Sequence, residues 1–236
     1  MRETILSTYQ FILDLLFPAA CIFCGREGNY FCLNCAAKIP TNAPNCFVCQ
    51  KRSPEGKICR NCSRKTKIRR FFAGYHYENE FIKKAIRKFK YNFIKDLSEP
   101  LGNLLVNFLK NYFPKNLEPE KFLIIPVPLS KQRYSWRGFN QSELLAKIIA
   151  HNFRLPLETE VLIRFKNTIP QAEIKNIEER KENIKNAFVV KKPEIIKNKI
   201  VILVDDISTI GATLEECAII LKAAGAKQIW AIVVAR

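Results

Sequence analysis

Apolar residues Ile5, Tyr9, Ile12, Leu15 and Leu16 recur at helical spacing, which predicts an amphipathic helix over residues 3–17, stopped by Pro18. From Cys21 to Cys62 the periodicity vanishes. That stretch is rich in Cys, Gly, Pro and Asn and has no long apolar run from which to build a core. Periodicity returns after the basic run 63–70, read as a hinge. Residues 71–77 alternate like a strand, and Phe81, Ile82, Ala85, Ile86 and Phe89 then share a helix face opposite Lys83, Lys84, Arg87, Lys88 and Lys90. A second helix is predicted over 97–113, a buried strand over 122–127, a basic loop, and a helix over 141–153. A short strand at 161–165, a polar stretch and a strand at 187–190 follow.

The last forty residues are the clearest. A strand at 199–204, a turn, a helix over 212–224 with Gly225 after it, and a strand at 229–235 form one βαβ unit. The strands are continuously apolar rather than alternating, which predicts a mostly parallel sheet covered by helices on both faces, an α/β fold. The expected division is a helix within residues 1–20, a cysteine module over 21–66 and an α/β domain over 67–236.

Eight of the nine cysteines form four C-x-x-C pairs, Cys21/Cys24, Cys32/Cys35, Cys46/Cys49 and Cys59/Cys62; Cys217 stands apart. A C-x-x-C turn sets two sulfurs at the separation tetrahedral Zn²⁺ requires, so four such knuckles predict two structural zinc sites in a reducing compartment. An iron–sulfur cluster and redox dithiols are the competing readings. Sequential pairing gives two zinc ribbons and is favoured; a cross-braced arrangement would join the first pair to the third.

Val201–Glu216 carries the most specific chemistry. An apolar strand stops at Asp205 and Asp206, and a turn of Ser208, Thr209, Ile210, Gly211, Ala212 and Thr213 opens a helix. Main-chain N–H groups there can converge on a phosphate, the helix dipole favours negative charge, and glycine permits close approach. The acids are placed to meet sugar hydroxyls directly or through Mg²⁺. The stretch resembles the 5-phosphoribosyl-1-pyrophosphate (PRPP) motif of type I phosphoribosyltransferases. That resemblance implies that the acids bind the ribose hydroxyls and the turn holds the 5′-phosphate. Ile210 departs from it, standing where many members carry threonine.

A second anchor is the strand running into Pro126-Val127-Pro128 and Ser130, similar to the family's pyrophosphate loop, with Lys131 and Arg133 facing the leaving group. Arg137-Gly138-Phe139-Asn140-Gln141, then Thr168, Gln171, Arg180, Asn183, Ala187 and Phe188, resemble the ComF family of competence proteins, in which a double zinc ribbon precedes a phosphoribosyltransferase domain. The resemblance implies a type I phosphoribosyltransferase fold, Mg²⁺ with PRPP, and a role in DNA uptake. Residues 167–186 occupy the place of the mobile catalytic loop of related enzymes.

Three functions follow: a competence factor binding PRPP and single-stranded DNA, an active transferase with an unidentified acceptor, or an adaptor among components of a DNA-import apparatus. Lysine and arginine exceed acids 39 to 22, a formal charge of +17 that favours polyanionic partners, though solvated faces also accumulate lysine. Lys83, Lys84, Arg87, Lys88 and Lys90, with aromatic residues interleaved, are the candidate DNA contacts. Asp14 and Pro18 argue against a signal peptide, and no stretch approaches the ~18–20 apolar residues of a membrane span. The expected location is cytoplasmic, with partners able to hold the protein at the inner face of the membrane.

Overall fold

The computed structural model describes residues 19–115, 117–169, 174 and 176–236. The helix expected at 3–17 and the candidate Gln171 lie outside the described residues. The chain forms two compact units, Met1–Pro40 and Thr41–Arg236. Two of the cysteine pairs therefore belong to the unit that also carries the α/β sheet.

In the smaller unit, Ala20 and Glu27 form an antiparallel bridge, and the Gly25 N–H donates to the Cys21 carbonyl at 2.9 Å. One helical turn, Leu33–Ala36, follows Cys32. Among the described residues of this unit, Cys21, Phe31, Cys32, Cys35 and Ile39 are the buried apolar ones, and three of them are cysteines that a metal would crosslink.

The larger unit runs β1 (Ile68–Tyr75), α1 (Glu80–Tyr91), α2 (Ser98–Lys110), β2 (Phe122–Pro126), α3 (Lys131–Arg137), α4 (Gln141–Phe153), β3 (Leu162–Arg164), α5 (Ile177–Ile184), β4 (Phe188–Val190), β5 (Ile200–Ile207), α6 (Ala212–Ala223) and β6 (Gln228–Ala235). The main sheet has the order β1-β6-β5-β2, every pairing parallel, and β3 pairs antiparallel with β4. Strand side chains alternate between faces. Leu123, Ile125, Val201, Leu203, Ile229, Ala231 and Val233 pack with Leu214, Cys217, Ala218 and Leu221 of α6. On the other face Trp230 meets the rings of Phe72, Phe113 and Phe122, and α2 lies close against α4. A Cβ on Gly102 would come within 2.5 Å of Ile148 Cδ1, so glycine lets those helices approach. Each fully buried Leu, Ile or Phe contributes about 1.5–3 kcal/mol.

Two expectations need correction. β1 begins at Ile68, inside the basic run read as a hinge: Ile68 is buried, Arg70 lies over the Trp230 ring at 4.7 Å, and the Ile58 N–H donates to the Arg69 carbonyl. The run joins the second cysteine module directly to the sheet. The expected basic loop after β2 is instead α3. The Ser130 hydroxyl caps it by accepting from the Arg133 N–H, and Gly138 ends it in the left-handed region at φ 79°.

Candidate functional site

A cavity of about 310 Å³ opens at the carboxyl end of β5, where ligands bind in open α/β sheets. The turn from Ser208 to Thr213 lines it, with Asp205 on the strand, Arg87, Lys90 and Tyr91 from α1, and Arg180 from α5. Gly211 adopts φ 80° and is the residue before α6, so the turn can present main-chain amides at a twelve-residue helix N-terminus. The Ser208 hydroxyl is buried without a hydrogen-bond partner in the described structure, although it lines this cavity. A buried unpaired hydroxyl is costly, and a ligand oxygen would satisfy it.

The acid pair divides its work. Asp206 is buried and pairs with Lys90 Nζ at 2.8 Å, whereas Asp205 is half-buried and faces the cavity. Asp205 Oδ1 accepts from the Ser142 hydroxyl at 2.8 Å and from the Asp206 N–H at 2.9 Å. Burial, and then the neighbouring Asp206 carboxylate, push the Asp205 carboxyl up to about 7, against the opposing pull of Lys90 and Ser142. Desolvation works against charge on Lys90, but Asp206 and then Asp205 hold its pKa above the ordinary lysine value. Lys90 therefore stays a cation, and Asp205 is poised to exchange a proton near neutrality.

The cysteines group sequentially. Cys21, Cys24, Cys32 and Cys35 form one cluster, and Cys46, Cys49, Cys59 and Cys62 another, with all sulfurs of each within 4.8 Å of one another. Cys24–Cys32 stand 3.6 Å apart, and Cys59 is 3.8 Å from both Cys46 and Cys49. A tetrahedron of ~2.3 Å Zn–S bonds has S···S edges of about 3.8 Å, so the thiols already fit structural zinc. Burial alone would raise the Cys46 thiol, but main-chain N–H groups of Cys49, Cys59 and Val48 outweigh it and draw the pKa down to about 6. Cys21 is drawn down to about 6 in the same way, burial again opposed by main-chain N–H groups. Those N–H groups favour the thiolate a metal needs.

The second cluster reaches the phosphate turn through side chains. A Cβ on Gly211 would lie 2.2 Å from Phe47 Cζ, so the knuckle's ring sits where any other residue's side chain would begin. Arg236 donates from Nη1 to the Phe47 carbonyl at 2.8 Å, and its guanidinium lies over the Phe47 and Phe71 rings. The Thr66 hydroxyl and the Lys67 N–H, the latter at 2.8 Å, both donate to the Glu215 carboxylate on α6.

Residues 12–63 match the model of the double zinc ribbon domain, and residues 140–236 match that of the phosphoribosyl transferase domain. Competence protein F of Haemophilus influenzae is 27% identical over 89% of this chain and 86% of its own length. Competence protein ComFC of Bacillus subtilis is 27% identical over 89% and 84%. The DNA utilization protein YhgH of Escherichia coli K12 is 35% identical over 45% of this chain and 47% of its own length. Over most of its length the chain is therefore similar to these two competence proteins, and it carries a double zinc ribbon domain followed by a phosphoribosyl transferase domain.

The ComF signature proves to be largely architectural. Asn140 caps α4 by accepting from the Ser142 N–H and donates to the Val127 carbonyl, tying α4 to the end of β2. Gln141 donates to the Phe89 carbonyl and accepts from Arg137 Nη1; Phe139 stacks on Phe89 at 5.6 Å. Together these bonds bring α1, α3 and α4 to one place, which delivers Ser142 to Asp205 and Lys90 to Asp206. Arg180 donates from Nε to the Ile174 carbonyl and from Nη1 to the Thr209 hydroxyl. The Asn183 amide both donates to and accepts from the Ile169 backbone.

Other expected residues sit elsewhere. Lys131 lines a second cavity, and Arg133 donates from Nη2 to the Thr168 carbonyl. Among the candidate DNA contacts, Lys90 turns inward to Asp206, and Lys83 pairs with Glu78 at 3.3 Å. Lys84 and Arg87 are exposed and Lys88 is half-buried. Ser142 and Phe47 were missed as site residues. Ser142 follows the Arg137–Gln141 run directly, the one sequence signal available; Phe47 carried none beyond its place between two cysteines.

Proposed function

We propose that this chain serves DNA uptake or utilisation, binding PRPP with Mg²⁺ in the cavity at the end of β5 and single-stranded DNA on an adjoining basic surface. The unpartnered Ser208 hydroxyl inside a glycine turn that opens α6, beside a carboxyl facing the same cavity, carries the PRPP reading. The turn's amides and Ser208 would hold the 5′-phosphate, and Asp205 the ribose hydroxyls. Arg87 and Arg180 border the cavity where the diphosphate's charge has to be met. Asp205 is the ligand this cavity offers to Mg²⁺, which when bound neutralises charge on a departing diphosphate. The names of the relatives support the competence role.

For DNA, the supporting surface is aromatic as well as basic. Tyr91, Phe93, Tyr134 and Trp136 are exposed, and the Trp136 ring meets Phe93 edge-on at 4.8 Å. Exposed rings among lysines and arginines suit unpaired bases, each stacked base contributing about 1–3 kcal/mol. One observation favours turnover as a second reading. A carboxyl poised near 7 beside the sugar site can accept the proton an incoming acceptor sheds, as phosphoribosyl transfer requires.

Calorimetry with PRPP and Mg²⁺ tests the first part: Asp205→Asn and Ser208→Ala each weaken binding at least tenfold, and unchanged affinity in both refutes it. Single-stranded DNA binding should fall steeply between about 50 and about 200 mM salt. Diphosphate release with a panel of nucleobases decides whether transfer occurs.

A further inference from the structure

Arg164, at the end of β3, is 5% exposed and pairs with no carboxylate among the described residues. Its one hydrogen bond among them runs from Nη2 to the Thr168 hydroxyl, and its Nε is buried without a partner. The guanidinium lies 5.6 Å from the centre of the Phe188 ring, which restrains its orientation. Burying an arginine without a counter-charge is unfavourable, and burial followed by the nearby Arg133 charge lowers its pKa to about 10. Among the described residues, the Phe188 ring and the Thr168 hydroxyl are the contacts that offset it, and neither carries a negative charge.

The same residue lines the second cavity, of about 590 Å³, which shares no lining residue with the first. Lys131, Lys191 and Lys192 also border it, against one acid, Glu160, which lies 3.8 Å from Lys192. Leu129, Leu162 and Tyr134 supply apolar wall. A buried guanidinium with free N–H groups, ringed by lysines, is built to take an oxyanion, and the apolar wall suits a body attached to it.

We propose that this cavity is a second ligand site, taking a small molecule that carries a phosphate monoester or carboxylate, with Arg164 as its anchor. It does not rest on the PRPP reading: its anchor, Arg164, has no part there, although Lys131, expected beside the diphosphate, lines this cavity. The turn at Ser208 could also take a phosphate, so each titration is repeated in the Ser208→Ala chain, and only binding that persists there is assigned to this cavity. The probes are orthophosphate, thymidine 5′-monophosphate and benzoate, followed by calorimetry and by thermal shift.

At least one probe is expected to bind the wild-type chain. Preference for the monophosphate marks a phosphate monoester ligand, and preference for benzoate marks a carboxylate. Arg164→Gln weakens the preferred probe at least tenfold, and Arg164→Lys retains part of the affinity. The ligand-free Arg164→Gln chain melts no lower than wild type, because the lost charge was uncompensated. Should Arg164→Gln fail to fold, the double variant Lys191→Gln/Lys192→Gln, on exposed positions, weakens binding severalfold and leaves the melt unmoved. Three results overturn the proposal. One is no binding by any probe. Another is equal binding in all variants. The third is displacement by inorganic diphosphate and by PRPP but not by ribose 5-phosphate, which would merge this cavity with the diphosphate end of the first site.

Discussion

The two cysteine clusters have the same C-x-x-C spacing and each brings four sulfurs within 4.8 Å of one another, yet they belong to different kinds of structure. Cys21, Cys24, Cys32 and Cys35 sit in the small unit, Met1–Pro40, where Cys21, Cys32 and Cys35 are buried alongside Phe31 and Ile39. Cys46, Cys49, Cys59 and Cys62 sit in the unit that holds the sheet, and Phe47 on their first knuckle rests against Gly211 of the phosphate turn. One cluster thus gathers the buried residues described in the small unit; the other packs the Phe47 ring behind the turn that lines the cavity. Equal motifs need not have equal jobs, because a knuckle's role depends on what its intervening residues touch.

Breaking that comparison most severely means removing one metal site at a time. Cys59→Ser is expected to lower the melting temperature of the larger unit and reduce PRPP affinity by two orders of magnitude or more, since loss of a structural zinc withdraws folding free energy. Cys32→Ser should abolish one equivalent of bound zinc and leave PRPP affinity within about twofold. Zinc content by mass spectrometry and calorimetry on both variants checks the pair, and equal losses of affinity would erase the distinction.

The contact between knuckle and turn is tested by a double-mutant cycle. Phe47→Ala should cost about 3–5 kcal/mol as a buried aromatic truncation. Gly211→Ala should cost about 2–4 kcal/mol, from the clash with the ring and from φ 80°. In the Phe47→Ala background the glycine change should cost only about 1 kcal/mol, because the conformational part alone remains. Denaturant melts give each corner of the cycle.

A pH profile sharpens the picture of the site next to that contact. Asp205 has a folded pKa raised to about 7 from an ordinary carboxylate value, so the folded chain binds the extra proton. Its contribution is fully present below about pH 4 and is lost as pH rises through about 7. Asp205→Asn should flatten that decline and leave the variant about 1–3 kcal/mol more stable than wild type at pH 8. Thermal melts across that range show it; a wild-type profile that rises over the same window would reverse the assignment.

The smallest effect is expected at the tie between the second module and α6. Glu215→Gln keeps the shape but weakens the bonds from Thr66 and Lys67, costing about 0.5–1 kcal/mol. PRPP affinity should drop less than threefold.

Much of this is legible in the sequence. Helices α1 and α4, strands β5 and β6 and the α6 turn fall within a few residues of their predicted bounds, because hydrophobic periodicity and caps such as Asn140 report local backbone geometry. Helix α3 carries no helical signal in the sequence because its face is basic and its apolar residues, Tyr134 and Trp136, are exposed; only Ser130 and Gly138 mark its ends. Lys90 looked like a member of a solvated lysine face, and helical spacing cannot tell which lysine on the margin of that face will find a buried carboxylate.

By itself the sequence determined what is short-range: the four knuckles, the alternation of strands and helices, and a turn whose residues suit a phosphate. Tertiary structure alone decided which acid faces the cavity, that Ser142 meets Asp205 across 63 residues and Thr66 meets Glu215 across 149, and that Arg164 is buried without a paired carboxylate among the described residues. The reason is physical. Spacing encodes geometry over a few residues, whereas charge burial and side-chain contact between distant segments exist only once the sheet has packed.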